Sequence, residues 1–322
     1  MRVLVTGMGG ELGTRVVNRF EADPAVTDIC GLDAYPPRRR IRRVAFHRVD
    51  PRDRRKAVTI VRDFDPEVIV HLGVYEPNAR MAPVPARLGT AASAVSVLGA
   101  AAGCPSLRAI VVRSGIEVYG RRRGAPTRPD EHGPIDPTSP FGRSLQHVEQ
   151  VAFEAGQAAS VPVAILRCAP ILGPSFPSPI GRYLRLPVVA VNPLAELPFS
   201  LLHQEDASSA FVAAAALDHD GPLNVVGPGA VTATQAVRMG GRVPIPVAGP
   251  GWWVAARTAE LLGAPLPPHA RELLERGGVA DGAAAVRVLG VSPRSTPEVV
   301  QELYRWEVVV HPTVVSGRQA AS

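Results

Sequence analysis

Val3-Leu4-Val5-Thr6-Gly7-Met8-Gly9-Gly10-Glu11-Leu12-Gly13 sets a short apolar run directly before glycines at positions 7, 10 and 13. The run reads as a buried strand and the stretch Glu11–Phe20 as a helix, so the glycines make the turn between them. Gly7 allows the tight turn, Gly10 lets the backbone approach a pyrophosphate, and Gly13 lets helix and strand pack closely. The free N–H groups of the helix N-terminus suit a phosphate. The next apolar run ends in Gly31-Leu32-Asp33, twenty residues beyond Gly13, where a carboxylate can accept a ribose 2′-hydroxyl. Together these features point to a dinucleotide. Asp33 would repel a 2′-phosphate, so NAD is expected and NADP is disfavoured.

Outward from this turn, apolar runs at Asp28–Asp33, Val44–Val49, Val68–Leu72, Ala109–Arg113 and Val163–Leu166 alternate with helical patterns. Those patterns lie at Arg52–Arg62, Leu88–Ala102 and Gly142–Ala158. Such alternation predicts an α/β fold with a doubly wound parallel Rossmann sheet. After Pro170 the pattern loosens, and the Pro-rich stretch Pro174–Pro198 shows no period. A cofactor-binding domain over 1–170 and a smaller substrate lobe over 171–322 are expected, with segments of the second returning to the sheet. In that lobe helices are expected near Asp206–Leu217, Val254–Leu262 and Pro297–Trp306, a strand at Leu223–Val226, and a frayed tail from Val315.

Composition narrows the function. The chain has 322 residues, 46% hydrophobic and 20% charged, which fits a globular protein. Its basic residues are 34 Arg and one lysine, Lys56, with a net charge of +6. Arg38, Arg39, Arg40, Arg42 and Arg43 carry charge that would suit a phosphate, although a solvated loop accounts for such a run. With Arg121–Arg123 they suggest nucleic acid, but no interleaved aromatic platform or nucleic-acid motif accompanies them. Cys30, Cys104 and Cys168 lack disulfide or metal-ligand spacing and read as core residues of a reducing compartment. No metal site is expected. Because the glycine turn comes within seven residues of the start, no secretory signal is expected. The uncharged run Leu88–Leu107 is too weakly apolar for a membrane span, and a cytoplasmic protein is the expectation.

The chain resembles the extended short-chain dehydrogenase/reductases, the group of nucleotide-sugar epimerases and dehydratases. Thr6 to Gly13 is similar to the TGxxGxxG turn, and Val70-His71-Leu72-Gly73 to the fourth-strand VHLA. Val111 to Gly120 is similar to the serine-bearing fifth strand with its trailing VYG, and Ser139 to Leu145 to the SPYGxSK helix. Leu166-Arg167 with Gly173-Pro174, His203 to Asp206, Leu223 to Gly227 and Leu289 to Pro293 match later motifs in order. The resemblance implies cofactor contacts from Thr6, Gly7, Gly9, Gly10, Glu11, Leu12, Gly13, Asp33, Leu72 and Gly73, with Asp50 toward adenine. It further implies a nucleotide-sugar substrate and a homodimer.

It also implies a Tyr–Lys pair one helical turn apart and a Ser/Thr on the fifth strand. Phe141, Leu145 and Gly115 stand at those positions, and none can exchange a proton. An ordinary tyrosine titrates near 10 and needs such a lysine to act at neutral pH. Lys56 lies in another helix, so no shifted alignment supplies one. Arg143 shares the helix of Phe141 but is two residues away and points elsewhere. Ser114, Tyr119 and His147 are the remaining candidates for proton transfer. Glu149, His132 and Asp136 read more simply as solvated or capping groups, and Tyr75, like Tyr119, is an acid without a lysine partner. The expectation is a cofactor-binding protein of regulatory or scaffold role. The alternatives are an enzyme with a non-standard proton carrier and an interaction module without cofactor.

Overall fold

The structure is a computed structural model and describes residues 1–305 apart from 38–40, 194–195, 248 and 250. Strands and helices alternate as β1 (Arg2–Thr6), α1 (Glu11–Ala22), β2 (Asp28–Asp33), β3 (Val44–Arg48), α2 (Arg54–Phe64), β4 (Val68–His71), α3 (Pro83–Leu98), β5 (Ala109–Gly115), α4 (Pro140–Ala159) and β6 (Val163–Cys168). Then follow β7 (Ile171–Leu172), α5 (Pro179–Leu184), β8 (Val188–Val191), β9 (Leu202–His203), α6 (Gln204–Ala215), β10 (Gly221–Val225), α7 (Ala233–Met239), β11 (Val243–Pro246), α8 (Gly251–Leu261), α9 (Pro268–Arg276), α10 (Ala283–Leu289) and α11 (Thr296–Arg305).

The main sheet has seven strands in the order β10-β6-β5-β4-β1-β2-β3, and every pairing is parallel. Helices cover both faces, so the central strands are buried throughout, β4 along its whole length and β1 from Val3 onward. The order reverses between β1 and β4, and that is where an open α/β sheet forms its ligand crevice. Short polar signals start the helices. Asp53 caps α2 by accepting the Lys56 N–H at 3.1 Å, and Ser139 caps α4 by accepting the Gly142 N–H at 3.0 Å.

A second apolar cluster joins α5, β8, α7, α9 and α11 through Tyr183, Phe199, Val237, Leu273 and Val300. Meanwhile β10 extends the main sheet and α6 packs on α1, so the second half of the chain returns to the first. The Pro-rich stretch is more regular than its sequence suggests. It holds α5, started by the Ser178 cap and Pro179, and β8, which pairs in parallel with β11. Helix α3 begins at Pro83, ahead of the expected Leu88, and ends at Leu98. Among the described residues one helical stretch, Pro83–Gly103, is long and apolar enough to cross a membrane, and half of it is buried in the fold. Trp306, the tail from Val315 and Arg38 to Arg40 lie outside the described residues.

Candidate functional site

At the reversal point a cleft of about 400 Å³ opens over the carboxyl ends of β1, β2 and β4. Gly7, Gly9, Gly10, Glu11, Leu12 and Gly13 form one wall, Asp33 and Tyr35 the second, and Leu72, Val74, Tyr75 and Glu76 the third. Phe176 and Pro177 reach in from the second lobe. The turn is built for close backbone approach. Gly7 has φ +68, and a Cβ there would lie 2.4 Å from the Leu72 carbonyl oxygen. At Gly13 a Cβ would lie 2.2 Å from the Gly7 carbonyl oxygen. Gly10 differs: its Cβ would meet only the Gly7 oxygen, at 3.1 Å, so the space in front of it belongs to the cleft.

Asp33 closes the far side. Its Oδ2 accepts the Gly9 N–H at 2.9 Å and its Oδ1 the Tyr35 N–H at 3.2 Å. Burial pushes its carboxyl up from the usual aspartate range, and these backbone donors oppose the shift without cancelling it. Thr6 acts from beneath the cleft. Its Oγ1 accepts the Leu72 and Gly73 N–H groups, each at 3.1 Å, and lies 2.9 Å from His71 Nδ1. Burial holds the His71 imidazole down at about 4, which keeps it neutral. Glu11 pairs with Arg15 at 2.9 Å and accepts the Ser175 hydroxyl at 2.9 Å, tying α1 to the second lobe. Asp50 does not line the cleft. It pairs at 2.7 Å with Arg52, which draws its carboxyl down to about 2.

Arginines replace lysine around the cleft. Arg80 Nη1 donates to the Gly9 carbonyl at 3.0 Å, and Arg113 Nη1 donates to the Val74 carbonyl at 3.2 Å. Arg182, from α5, donates to the Asn78 carbonyl and, at 2.9 Å, to that of Ala79. Lys56 is exposed on α2, donating to the Arg48 carbonyl at 3.3 Å, and takes no part in the cleft. Where described, the arginine run ties its loop to the end of α1 and the turn after it: Arg43 donates to the Glu21 and Val26 carbonyls at 3.1 and 2.8 Å.

The sequence candidates for proton transfer do not converge. Ser114 donates to Glu149 Oε1 at 2.5 Å, and Arg167 grips the same carboxylate with two bonds of 3.0 and 2.8 Å. Tyr119 donates to Asn224 Oδ1 at 2.7 Å and accepts from Arg167 at 3.0 Å. Both hydroxyls thus belong to a buried network beside the sheet, and burial raises the tyrosine further. His147 and His132 are exposed, and Asp136 pairs with Arg122 at 2.9 Å. Tyr75 lines the cleft, with its hydroxyl raised by burial. Trp252 is buried and Trp253 exposed, both outside the cleft lining.

Around Phe141 the structure assembles residues that no motif singled out. His269, from the start of α9, packs against the Phe141 ring at a tilt of 42° with centroids 4.7 Å apart, and its Nε2 lies 3.1 Å from Glu76 Oε1. Glu117 turns back toward Gly115, so that a Cβ at 115 would sit 2.3 Å from Glu117 Oε2. These residues are 41 and 193 positions from Glu76, which no sequence spacing could reveal. Among the described residues no group of three or more His, Cys, Asp or Glu could hold a metal ion.

The fold is shared with enzymes of known structure. The chain aligns with the UDP-glucose 4-epimerase of Thermotoga maritima at TM-score 0.73 and 18% identity, covering 95% of this chain and 98% of that one. It aligns with the dTDP-glucose 4,6-dehydratase of Bacillus anthracis, solved in complex with NAD, at TM-score 0.71 and 18% identity, covering 95% and 96%. An uncharacterized protein of Mycobacterium tuberculosis is 30% identical over 262 residues, 78% of this chain and 69% of the relative. The sequence model of the NAD dependent epimerase/dehydratase family matches residues 3–221, and the chain belongs to that family.

Proposed function

We propose that the chain binds NAD in the cleft between the glycine turn and Asp33, and that it does not use the tyrosine–lysine proton relay its resemblance implies. The observation that carries the cofactor is the meeting of open backbone at Gly10 with the Asp33 carboxylate across one cleft. The α1 N-terminus and Arg80 would hold the pyrophosphate, and Asp33 a ribose hydroxyl. When bound, NAD supplies a hydride acceptor. The chain's part is to orient it and to exclude water with Leu72, Val74, Phe176 and Pro177. Calorimetric titration tests the cofactor: NAD should bind and NADP should bind more weakly, and absence of NAD binding sinks this reading.

The relay is missing because Phe141 and Leu145 occupy its positions, 7% and 1% exposed in the apolar core. A nucleotide sugar is the proposed partner of the loaded cleft, as for the relatives of this fold. The chain is further proposed to pair with a second copy through α3 and α4, which pack side by side and leave Val84, Leu88, Val95 and Phe153 exposed. The carboxyl and imidazole groups gathered beside Phe141 favour a second reading over a purely regulatory role: an enzyme that moves protons by another route.

A further inference from the structure

We infer that Glu76 is the proton-transferring residue of this cleft, with His269 its positioning residue and Glu117 filling the place of the hydroxyl absent at Gly115. The inference rests on the proposed binding of NAD, and it names the chemistry that the substituted positions leave open.

Geometry singles out Glu76. It lines the main cleft and also a small adjoining cavity of about 20 Å³, walled by Gly115, Glu117, Phe141 and Leu145. That volume has room for about one water. Glu76 therefore stands at the junction of the cofactor cleft and the three positions where the family resemblance places its acid/base groups. Its side chain is 16% exposed on the cleft side, whereas the His269 side chain behind it is 5% exposed. An imidazole N–H bound to one carboxylate oxygen leaves the other oxygen to face a ligand, as in other acid/base pairs oriented by a third group. The Phe141 ring packs against the imidazole at a tilt of 42°.

Charged groups of both signs face the pair. Arg182 on α5 and Arg113 on β5 bring positive charge to the cleft side. Arg121 and Glu117 approach from the segment after β5, and His269 from α9. Burial raises the Glu117 carboxyl, and the neighbouring Glu76 charge adds to that shift, against the opposing pull of Arg121 and His269. Glu117 Oε2 stands 2.3 Å from where a Cβ at 115 would lie, so its carboxyl fills the space that a serine or threonine side chain would take.

The step balances as an alcohol oxidation. The O–H bond of a secondary hydroxyl breaks and its proton passes to the Glu76 carboxylate. The adjoining C–H bond breaks with its electron pair leaving as hydride to an oxidised nicotinamide, and the alcohol becomes a ketone. In the reverse step the hydride would return to the ketone carbon, on the same face or the opposite one, and Glu76 would return its proton to the ketone oxygen, giving the starting alcohol or its epimer.

The test compares the full chain with its Glu76→Gln variant. Calorimetry should show that both proteins still bind NAD. NMR of the His269 ring should show its Nε2 resonance displaced in Glu76→Gln, since the carboxylate partner at 3.1 Å has become an amide. With bound NAD and UDP-glucose, UDP-galactose, UDP-glucuronic acid or dTDP-glucose as probes, the wild type should develop absorbance at ~340 nm with at least one sugar. In Glu76→Gln that rate should fall by roughly 100-fold or more, the range of a lost acid/base group. Glu76→Asp should recover part of it, and His269→Asn should shift the pH profile. NAD-bound wild type silent with all four sugars, an unmoved His269 ring resonance, or undiminished turnover in Glu76→Gln overturns the inference. Failure of both proteins to bind NAD overturns instead the reading of the cleft, and this inference with it.

Discussion

The carboxylate of Asp33 reaches back to the glycine turn, where its Oδ2 accepts the Gly9 N–H at 2.9 Å. Cofactor recognition and turn geometry are therefore one structure. Replacing Asp33 by Ala should weaken NAD binding by roughly 10- to 100-fold, the loss of one charged hydrogen bond. The pH dependence follows from the raised Asp33 carboxyl. Its folded value lies above its unfolded one, so the folded chain holds the proton more tightly. This contribution to stability is full below the unfolded value and is lost as pH rises through the raised folded value. Binding has the opposite sense, since a ribose hydroxyl needs the ionised acceptor. Calorimetry across the acid range should show NAD affinity falling as pH drops through that value in wild type and flat in Asp33→Ala.

Neighbouring glycines should separate stability from binding. A Cβ at Gly9 would lie 2.1 Å from the Tyr35 carbonyl oxygen, so Gly9→Ala must move backbone and should cost about 2 kcal/mol or more. Gly10→Ala meets one oxygen at 3.1 Å and should fold with a loss under about 1.5 kcal/mol, while its methyl group blocks the pyrophosphate. Denaturant unfolding and NAD titration of the pair should give opposite rankings. A Gly10→Ala protein that binds NAD normally would show that the phosphate lies elsewhere.

Arg167 and Glu149 form a buried pair whose side chains are 4% and 8% exposed. Removing one partner strands a charge, and Glu149→Ala should cost roughly 3–5 kcal/mol by chemical denaturation. Ser114→Ala and Tyr119→Phe remove single bonds of the same network and should cost about 1 kcal/mol each. None of the three should change NAD affinity. A Ser114→Ala variant that folds normally yet loses turnover would return that hydroxyl to the chemistry.

The exposed ring of Phe153 on α4 and the Leu88 side chain on α3 should carry the contact between copies. Leu88→Glu with Phe153→Glu is expected to give a monomer in sedimentation velocity where the wild type is a dimer. A monomeric wild type at all concentrations rejects the pairing.

Strands β1, β2, β4, β5 and β6 could be read from the chain because parallel strands buried on both faces must be short apolar runs, whereas β3 lies partly exposed at the sheet edge. The Asp28–Asp33 strand matches its expected bounds to the residue. Much of the second lobe was hidden. Prolines at 174, 177, 179 and 187 obscured α5 and β8, although Ser178-Pro179 is itself a helix start. The glycine wall and Asp33 were legible as local pattern. Glu76 and His269 were not, because what joins them is the packing of α9 against the start of α4, a relation that exists only once the second lobe has docked.

The loop from Glu76 to Met81 is tethered twice, by Arg80 to the Gly9 carbonyl and by Arg182 to the carbonyls of Asn78 and Ala79. The Arg80 guanidinium spends its contact on a neutral oxygen, so an arriving pyrophosphate offers it a stronger, charged acceptor for the same movement. Ligand capture then becomes an exchange of partners by an arginine already in place. Its association rate should fall as salt screens the approach, while release is slowed by the same clasp.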